Sequence, residues 1–501
     1  MGILWSLATP VLSSPDEIAH FAKAVGQYHG QVLGVHEEGQ RHPVFHLPDG
    51  MEYSPAMQCF WTREEIPADC APEIGDSSGG DWFASWVASY NPLYYYLVGW
   101  PSLFLTGNTV LIAMRIASSL VGAALFAWAA QIGMATRQRR WIPAGLAFIA
   151  SPMIVYMSAS VNPNGLEIAS AVLLWLALPR LLETFGEESS VGTPRWVLWS
   201  AVTVGSILLA NARATGPLWL LIVAALGLLM VGWKNALRMI GNRGTYPWLA
   251  LIMVGGVFSL VWTLRGGSLS GQAGVSDAPL VNGTFLEGAA YMLKATPVYF
   301  QQALGYFGWF DTPLPGIPFW LIIAAISLLV VLGFMATSRR SVVVLATICA
   351  AAILAPVLVQ AYAVGQTGII WQGRYGLFLY IGVILAAAHQ LSIDPLGRVN
   401  FLSRRLTALI VTLVGAFAFF AFVFVLYRYG VGIGATFGEF WSSPKWQPAM
   451  GWKTLSALYA LVIGIFVAWI WLIAPPSRAG ADIPGGAGDE ASELEPGSIT
   501  A

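Results

Sequence analysis

LTALIVTLVGAFAFFAFVFVLY, residues 406–427, runs for 22 positions without one charged side chain. About 20 predominantly apolar residues, wound as a helix, cross the hydrocarbon core of a bilayer. Helix is what such a segment must form, because in hydrocarbon each peptide N–H and C=O has to be satisfied within its own segment. Working outward from this run, similar stretches lie near 1–12, 109–135, 141–160, 165–184, 195–211, 214–232, 246–264, 318–336, 341–363, 374–390 and 452–474, about twelve spans of roughly 20 residues each. Composition agrees: 56% of the 501 residues are hydrophobic and only 10% are charged, where a soluble domain carries about 25%. The alternating pattern of a membrane barrel is absent. These features predict an all-α, polytopic helical membrane protein of about 11–13 spans, with a large first extracytoplasmic loop carrying interfacial helices. A net charge of -1 gives no sign of a nucleic-acid partner.

The first run is too short to cross. It is read as a truncated or partial first span, 1–12, whose true start lies upstream, the alternative being a segment lying partly in the interface; it lacks the basic n-region and small-residue cleavage site of a signal peptide. The remaining organisation follows as a first extracytoplasmic loop over 13–108, a transmembrane helical region over 109–474 with an outer loop at 265–317, and a tail over 475–501. The tail is rich in Gly, Pro and acidic residues and is expected to be a disordered cytoplasmic end.

Lys and Arg in short loops set orientation. Arg137, Arg139 and Arg140 share one loop, and Lys234, Arg238 and Arg243 another. Arg339 with Arg340, and Arg398 with Arg404 and Arg405, mark two more. With twelve spans all four loops fall on one side, which is then cytoplasmic. The segments 13–108, 265–317, 364–373 and 428–451 face outward.

The loop 13–108 holds Cys59 and Cys70. An oxidising outer compartment favours a bridge between them, the alternative being two free thiols. Residues 91–100, apolar and rich in Tyr, read as an interfacial helix, where aromatic rings sit at headgroup level.

Ser14-Pro15-Asp16-Glu17-Ile18-Ala19-His20 opens that loop. Ser14 followed by Glu17 has the spacing of a capping box, with Pro15 suited to the first helical position. A helix cap is therefore one complete reading. Against it, a cap needs one acid and here there are two, His20 lies one turn beyond Asp16 on the same face, and the cluster sits where a span leaves the bilayer. A carboxylate there could act as a general base or hold a divalent cation such as Mg or Mn.

Arg115, Arg213, Arg265 and Arg374 lie at or near the outer ends of spans, against the positive-inside trend and at a cost near hydrocarbon. Guanidinium groups bind phosphate bidentately; the plainer alternative is snorkelling to headgroups. Arg374, within Trp371-Gln372-Gly373-Arg374-Tyr375, opens a span beside polar and small residues. Asn162-Pro163-Asn164-Gly165 reads as a turn starting a helix, with Glu167 just inside it. The stretch 305–315, with Asp311, is either an aromatic anchor or a wall for a sugar or lipid.

Pro15-Asp16-Glu17 with His20, Asn91-Pro92-Leu93-Tyr94-Tyr95, Arg115-Ile116-Ala117-Ser118, residues 160–165, Arg213 before Gly216-Pro217, residues 307–313 and Gln372-Gly373-Arg374-Tyr375 occur in this order. Together they resemble a family of bacterial multi-pass membrane proteins catalogued as a domain of unknown function, itself similar to the C-type membrane glycosyltransferases. The resemblance covers roughly residues 5–430. It implies transfer of a sugar from a polyprenyl-(di)phosphate carrier to an envelope glycan, glycolipid or protein on the outer face of a bacterial cytoplasmic (inner) membrane. It further implies Asp16 as base or metal ligand with Glu17 as partner, and His20 beside them. Arg374, Gln372, Arg213, Arg265, Asn162 and Asp311 are the expected substrate-binding residues. Asn164 stands where the family pattern has an Asp.

Two other readings stay open. One is a transporter or flippase of lipid-linked sugars, against which stand the lack of a clear internal repeat and the gathering of polar groups at one face, with few charges at mid-depth. The other is a non-catalytic partner in envelope assembly. No P-loop, dinucleotide fingerprint or zinc spacing is present.

Overall fold

The computed structural model describes residues 1–76, 80–135, 139–186, 192–268, 278–394 and 397–475. Arg137 and the tail 476–501 lie outside the described residues. The protein is an all-α polytopic membrane protein. In chain order its helices are α1 (Gly2–Ala8), α2 (Glu17–Tyr28), α3 (Leu93–Val98), α4 (Gly107–Met134), α5 (Ile142–Ala147), α6 (Pro152–Ser158), α7 (Pro163–Glu183), α8 (Arg195–Ala212) and α9 (Gly216–Val231). They continue with α10 (Trp233–Ile240), α11 (Tyr246–Arg265), α12 (Phe285–Gly305), α13 (Gly316–Ala336), α14 (Arg339–Thr367), α15 (Leu377–Ile393), α16 (Ser403–Val431), α17 (Phe437–Ser442) and α18 (Trp452–Ile473). Two short antiparallel strand pairs also occur: β1 (Val44–His46) with β2 (Trp82–Ala84), and β3 (Tyr306–Phe307) with β4 (Thr312–Pro313).

Among the described residues, eight helices are long and apolar enough to cross a membrane, or nine with the bent pair α9–α10. The expected twelve runs differ from this for local reasons. Residues 1–12 form only the seven-residue α1. The run 141–160 is broken into α5 and α6 because Pro152 drives Ser151 out of the helical region, to ψ 135°. Helix α8, at 18 residues, is long enough, but Arg195, Ser200, Thr203, Ser206 and Asn211 make it less apolar than the spanning helices. Gly232, at φ 114°, lets α10 turn 110° away from α9. The expected outer loop 265–317 contains the 21-residue α12, started by a Thr284–Glu287 capping box and packed on α14; Glu287 and Lys294 hide it from a search for uncharged runs.

Helix α7 is the axis of the bundle. Its apolar window is 100% buried, against 17% for α11 and for α18, and it packs on α4, α8, α9 and α15. The poorly buried helices form the lipid-facing perimeter, as expected when hydrocarbon replaces water as solvent.

The bundle has two chemically distinct ends. At one end Trp141 donates to Ser392 and Asn400, and Arg195 donates to Thr184. Here lie Arg139, Lys234, Arg238, Arg339, Arg340, Arg398, Arg404 and Arg405. At the other end Asn91 donates to Asn211, Trp262 to the Ser89 carbonyl, and the Gly373 N–H to Gln302. The segment between α1 and α4 closes over this second, polar end, and every contact described below belongs to it.

Candidate functional site

The site begins at the turn into α2. Asp16 is the N-cap, at φ 61° and ψ 2°, and its side chain makes no capping bond. A non-glycine residue in the left-handed region costs about 1–3 kcal/mol and persists only where surrounding contacts over-determine it. The expected capping box is not formed. Ser14 Oγ instead donates to Ser160 Oγ, and the Glu17 side chain turns inward to Arg115. The plain helix-cap reading of the two acids therefore fails.

Glu17 and Arg115 make a bidentate pair, with Nε at 2.8 Å from Oε1 and Nη2 at 2.5 Å from Oε2. Both side chains are sealed from solvent. The remaining donors are equally occupied: Arg115 reaches the carbonyls of Ser6, Thr9 and Pro10, and Glu17 Oε1 accepts from the Val161 N–H. A buried ion pair is tolerable only when its remaining hydrogen bonds are satisfied. This one ties α1, α2, α4 and the start of α7 together. Glu17 is thereby a positioning residue whose oxygens are both taken.

Asp16 differs from its neighbour. Its carboxylate stays 21% exposed, with Oδ2 at 2.5 Å from Nη2 of the buried Arg374. Gly373 brings that arginine in: a Cβ there would strike the Tyr299 carbonyl and Gln302. Both guanidinium groups of the site lie over the ring of Tyr375, that of Arg213 at 4.1 Å and that of Arg374 at 5.1 Å. Arg213 terminates α8 in extended conformation. It donates to Asn164 Oδ1 at 3.0 Å, approaches Glu167 Oε2 at 3.9 Å and hydrogen-bonds Tyr90. At this site Arg374 Nε, Glu167 Oε1, Gln372 Oε1 and Trp371 Nε1 are buried polar atoms with no partner among the described residues. Such atoms are costly when left unpaired. They make the turn before α15 and the start of α7 a candidate ligand-binding site.

His20 completes the floor. Its Nδ1 lies 2.8 Å from the Tyr95 hydroxyl, and its ring stacks on Tyr95 and meets Tyr90 edge-on. Burial first, then the positive charges of Arg213, Arg374 and Lys23, hold its pKa well below the usual histidine range, so His20 is neutral. Lys23, one turn on, donates to the carbonyls of Val32 and Ala88.

The other sequence candidates are distributed unevenly. Asn162 caps α7 by accepting from the Asn164 N–H, and it donates to the Pro15 carbonyl. It thus fixes the Asp16 turn from behind. Arg265 is exposed at the end of α11 and joins none of these contacts. Asp311 is brought to a second buried pair, 3.0 Å from Arg428 Nη2, and not to the Asp16 cluster. Cys59 and Cys70 are bonded, with Cα atoms 6.2 Å apart. Sequence reasoning missed Glu167 and Tyr375 as site residues. A carboxylate one turn into an otherwise apolar helix, and an aromatic ring adjoining Arg374, were the available signals.

A resident divalent cation does not fit this donor set. Both Glu17 oxygens are engaged by Arg115 and the Val161 N–H, Asp16 is paired with the Arg374 guanidinium, and no group of three or more His, Cys, Asp or Glu suited to a metal occurs among the described residues.

Beside the site runs an apolar cavity of about 550 Å³ between α12, α13, α14 and α15. Leu377, Tyr380, Ile381 and Ile384 line it along one face of α15, starting three residues after Arg374, with Phe300 and Leu304 of α12 opposite.

No curated protein matches this chain. A family model described as "Predicted membrane protein (DUF2142)" matches residues 1–385. The chain, matched over most of its length, belongs to that family.

Proposed function

We propose that the protein is an integral-membrane glycosyltransferase that moves a sugar from a polyprenyl-(di)phosphate carrier to an acceptor on the outer face of a bacterial inner membrane. The observation that carries this reading is the conjunction at the start of α15: the buried Arg374 guanidinium paired with the partly exposed Asp16 carboxylate, the Arg213 guanidinium over the same Tyr375 ring, and an apolar cavity lined along α15 from Leu377. This grouping supports a ligand that combines a phosphate with an apolar tail, beside a carboxylate able to accept a proton.

In the resting site Arg374 is engaged by Asp16. An arriving carrier phosphate competes for the guanidinium, because charge-assisted bidentate bonds to phosphate are strong. Its binding frees the Asp16 carboxylate. The acceptor hydroxyl then attacks the anomeric carbon, and Asp16 takes its proton as the new C–O bond forms. The bond between the anomeric carbon and the carrier phosphate oxygen breaks with its electron pair. Arg374 and Arg213 stabilise the charge gathering on that oxygen. A single displacement inverts the anomeric centre. The basic end of the bundle then faces the cytoplasm, in keeping with the positive-inside trend. Neutral His20 and Tyr95 hold the first turn of α2 in register.

The test is complementation of a deletion strain with wild type and Asp16→Asn, with envelope glycans and lipid-linked sugars read by mass spectrometry. A glycan that stays absent in Asp16→Asn at normal protein level, with its lipid-linked donor accumulating, supports transfer. Full restoration by Asp16→Asn would overturn it and favour a carrier or assembly role.

A further inference from the structure

A second construction at the polar end is unused by the transfer site. Trp61, in the segment between α1 and α4, stacks on Trp309, in the β3–β4 turn, at 4.5 Å between ring centroids. The residue after each tryptophan is held in the left-handed region: Thr62 at φ 58° and Phe310 at φ 63°. For a β-branched and a bulky residue this conformation is a genuine outlier, and such strain concentrates at ligand clamps. Buried Arg428 enforces it on both sides. Its guanidinium donates to the carbonyls of Phe60, Arg63 and Ile66 in one loop and to Asp311 Oδ2 in the other. Gly308 completes the turn, since a Cβ there would strike Asp311. The Cys59–Cys70 bridge closes the first loop next to Trp61.

The indole N–H groups of Trp61 and Trp309 are both buried and lack a partner among the described residues. With Gln58, Thr62 and Arg63 the two rings line a cavity of about 380 Å³, within the size range of small-ligand sites. The exposed polar side chains disfavour a lipid tail, and Arg63 disfavours a quaternary ammonium. Indole rings beside a rim of hydroxyl, amide and guanidinium groups suit a ligand that offers an apolar C–H face together with hydroxyl acceptors. That is the chemistry of a pyranose ring, neutral or bearing an acidic substituent.

We infer that Trp61 and Trp309 form a saccharide-binding platform, held by Arg428 and taking one pyranose unit of a glycan. This goes beyond the transfer reading, because a glycan held here need not be the group that moves.

The test uses the full chain in lipid nanodiscs on an array of immobilised glucose, mannose, galactose and N-acetylglucosamine tetrasaccharides. Wild type should bind at least one of them, and Trp309→Ala and Trp61→Ala should weaken that binding at least tenfold. Arg63→Gln, an exposed change that leaves the loop bonds intact, should weaken it severalfold, which keeps the test sound if a tryptophan variant fails to fold. Asp16→Asn should bind as wild type does, so that loss of transfer and loss of glycan binding remain separate results. No binding by wild type to any of the four sugars would overturn the inference, as would unchanged binding in folded Trp309→Ala and Arg63→Gln.

Discussion

Nη2 of Arg374 lies 2.5 Å from Oδ2 of Asp16, although 358 positions separate the two residues in the chain. The arginine is almost fully buried and the carboxylate is not. The pair is therefore open on its acidic side, and its guanidinium carries a buried Nε still without a partner.

If this pair serves proton transfer and phosphate binding, Asp16→Asn should lower turnover by about 10²- to 10⁴-fold, the usual share of a positioned base, while the protein remains folded in detergent. Arg374→Lys should raise KM for the lipid-linked donor, because an ammonium cannot reproduce a bidentate contact. Turnover by Asp16→Asn within a fewfold of wild type would rule out the base.

Glu17→Gln should act through folding instead. It leaves Arg115 charged and sealed, and breaking one partner of a buried pair costs about 3–5 kcal/mol. The expected result is a lower thermal midpoint and poor recovery of monodisperse protein. Joint replacement, Glu17→Gln with Arg115→Met, should recover part of the loss. A Glu17→Gln protein as stable as wild type but inactive would return Glu17 to the chemistry.

Asp311→Asn should loosen two loops at once, since Arg428 binds Asp311 and the carbonyls of the 60–66 segment together. Hydrogen exchange at residues 60–66 and 307–313 should quicken in the same variant. Gly308→Ala should do likewise, because it sits at φ 60° with Asp311 in the way. Faster exchange confined to 307–313 would show that the loops are not coupled through Arg428.

Lys23 gives a pH signature. Burial lowers its pKa to about 7, while an unfolded lysine titrates near ~10.4. Between these values the unfolded chain binds more protons, so this residue makes stability rise with pH, by at most about 1.4 kcal/mol per pH unit. That contribution is complete above the unfolded value, is lost as pH falls toward 7, and flattens below it. The thermal midpoint in detergent should be higher at pH 9 than at pH 7, and the difference should shrink in Lys23→Met. An undiminished difference in that variant would assign it to other groups.

Filling the apolar cavity tests the tail site. Ile381→Trp should raise KM for a long-chain lipid donor more than for a short-chain one. Equal effects on both would place the tail elsewhere.

Composition and spacing dictate the class of fold, because residues such as those of 406–427 leave the backbone no solvent but itself and so form helices. They dictate too that the basic residues of the loops gather at one end, and they single out Asp16, His20, Arg213 and Arg374. What they leave open is which charges do chemistry and which hold the fold. Asp16 and Glu17 are adjacent and nearly identical in type; only the tertiary contacts separate them. Arg115 lies across from Glu17 and closes on it, whereas Asp16 is turned the other way by a left-handed backbone that no local pattern announces. Likewise Arg374 and Arg265 both end or open apolar helices, yet Gly373 lets only the first approach the acids. Helix propensity and hydropathy are local sums. Ion pairing across hundreds of residues depends on how α1, α2, α4, α7 and α15 pack, and that was decided by the tertiary structure alone.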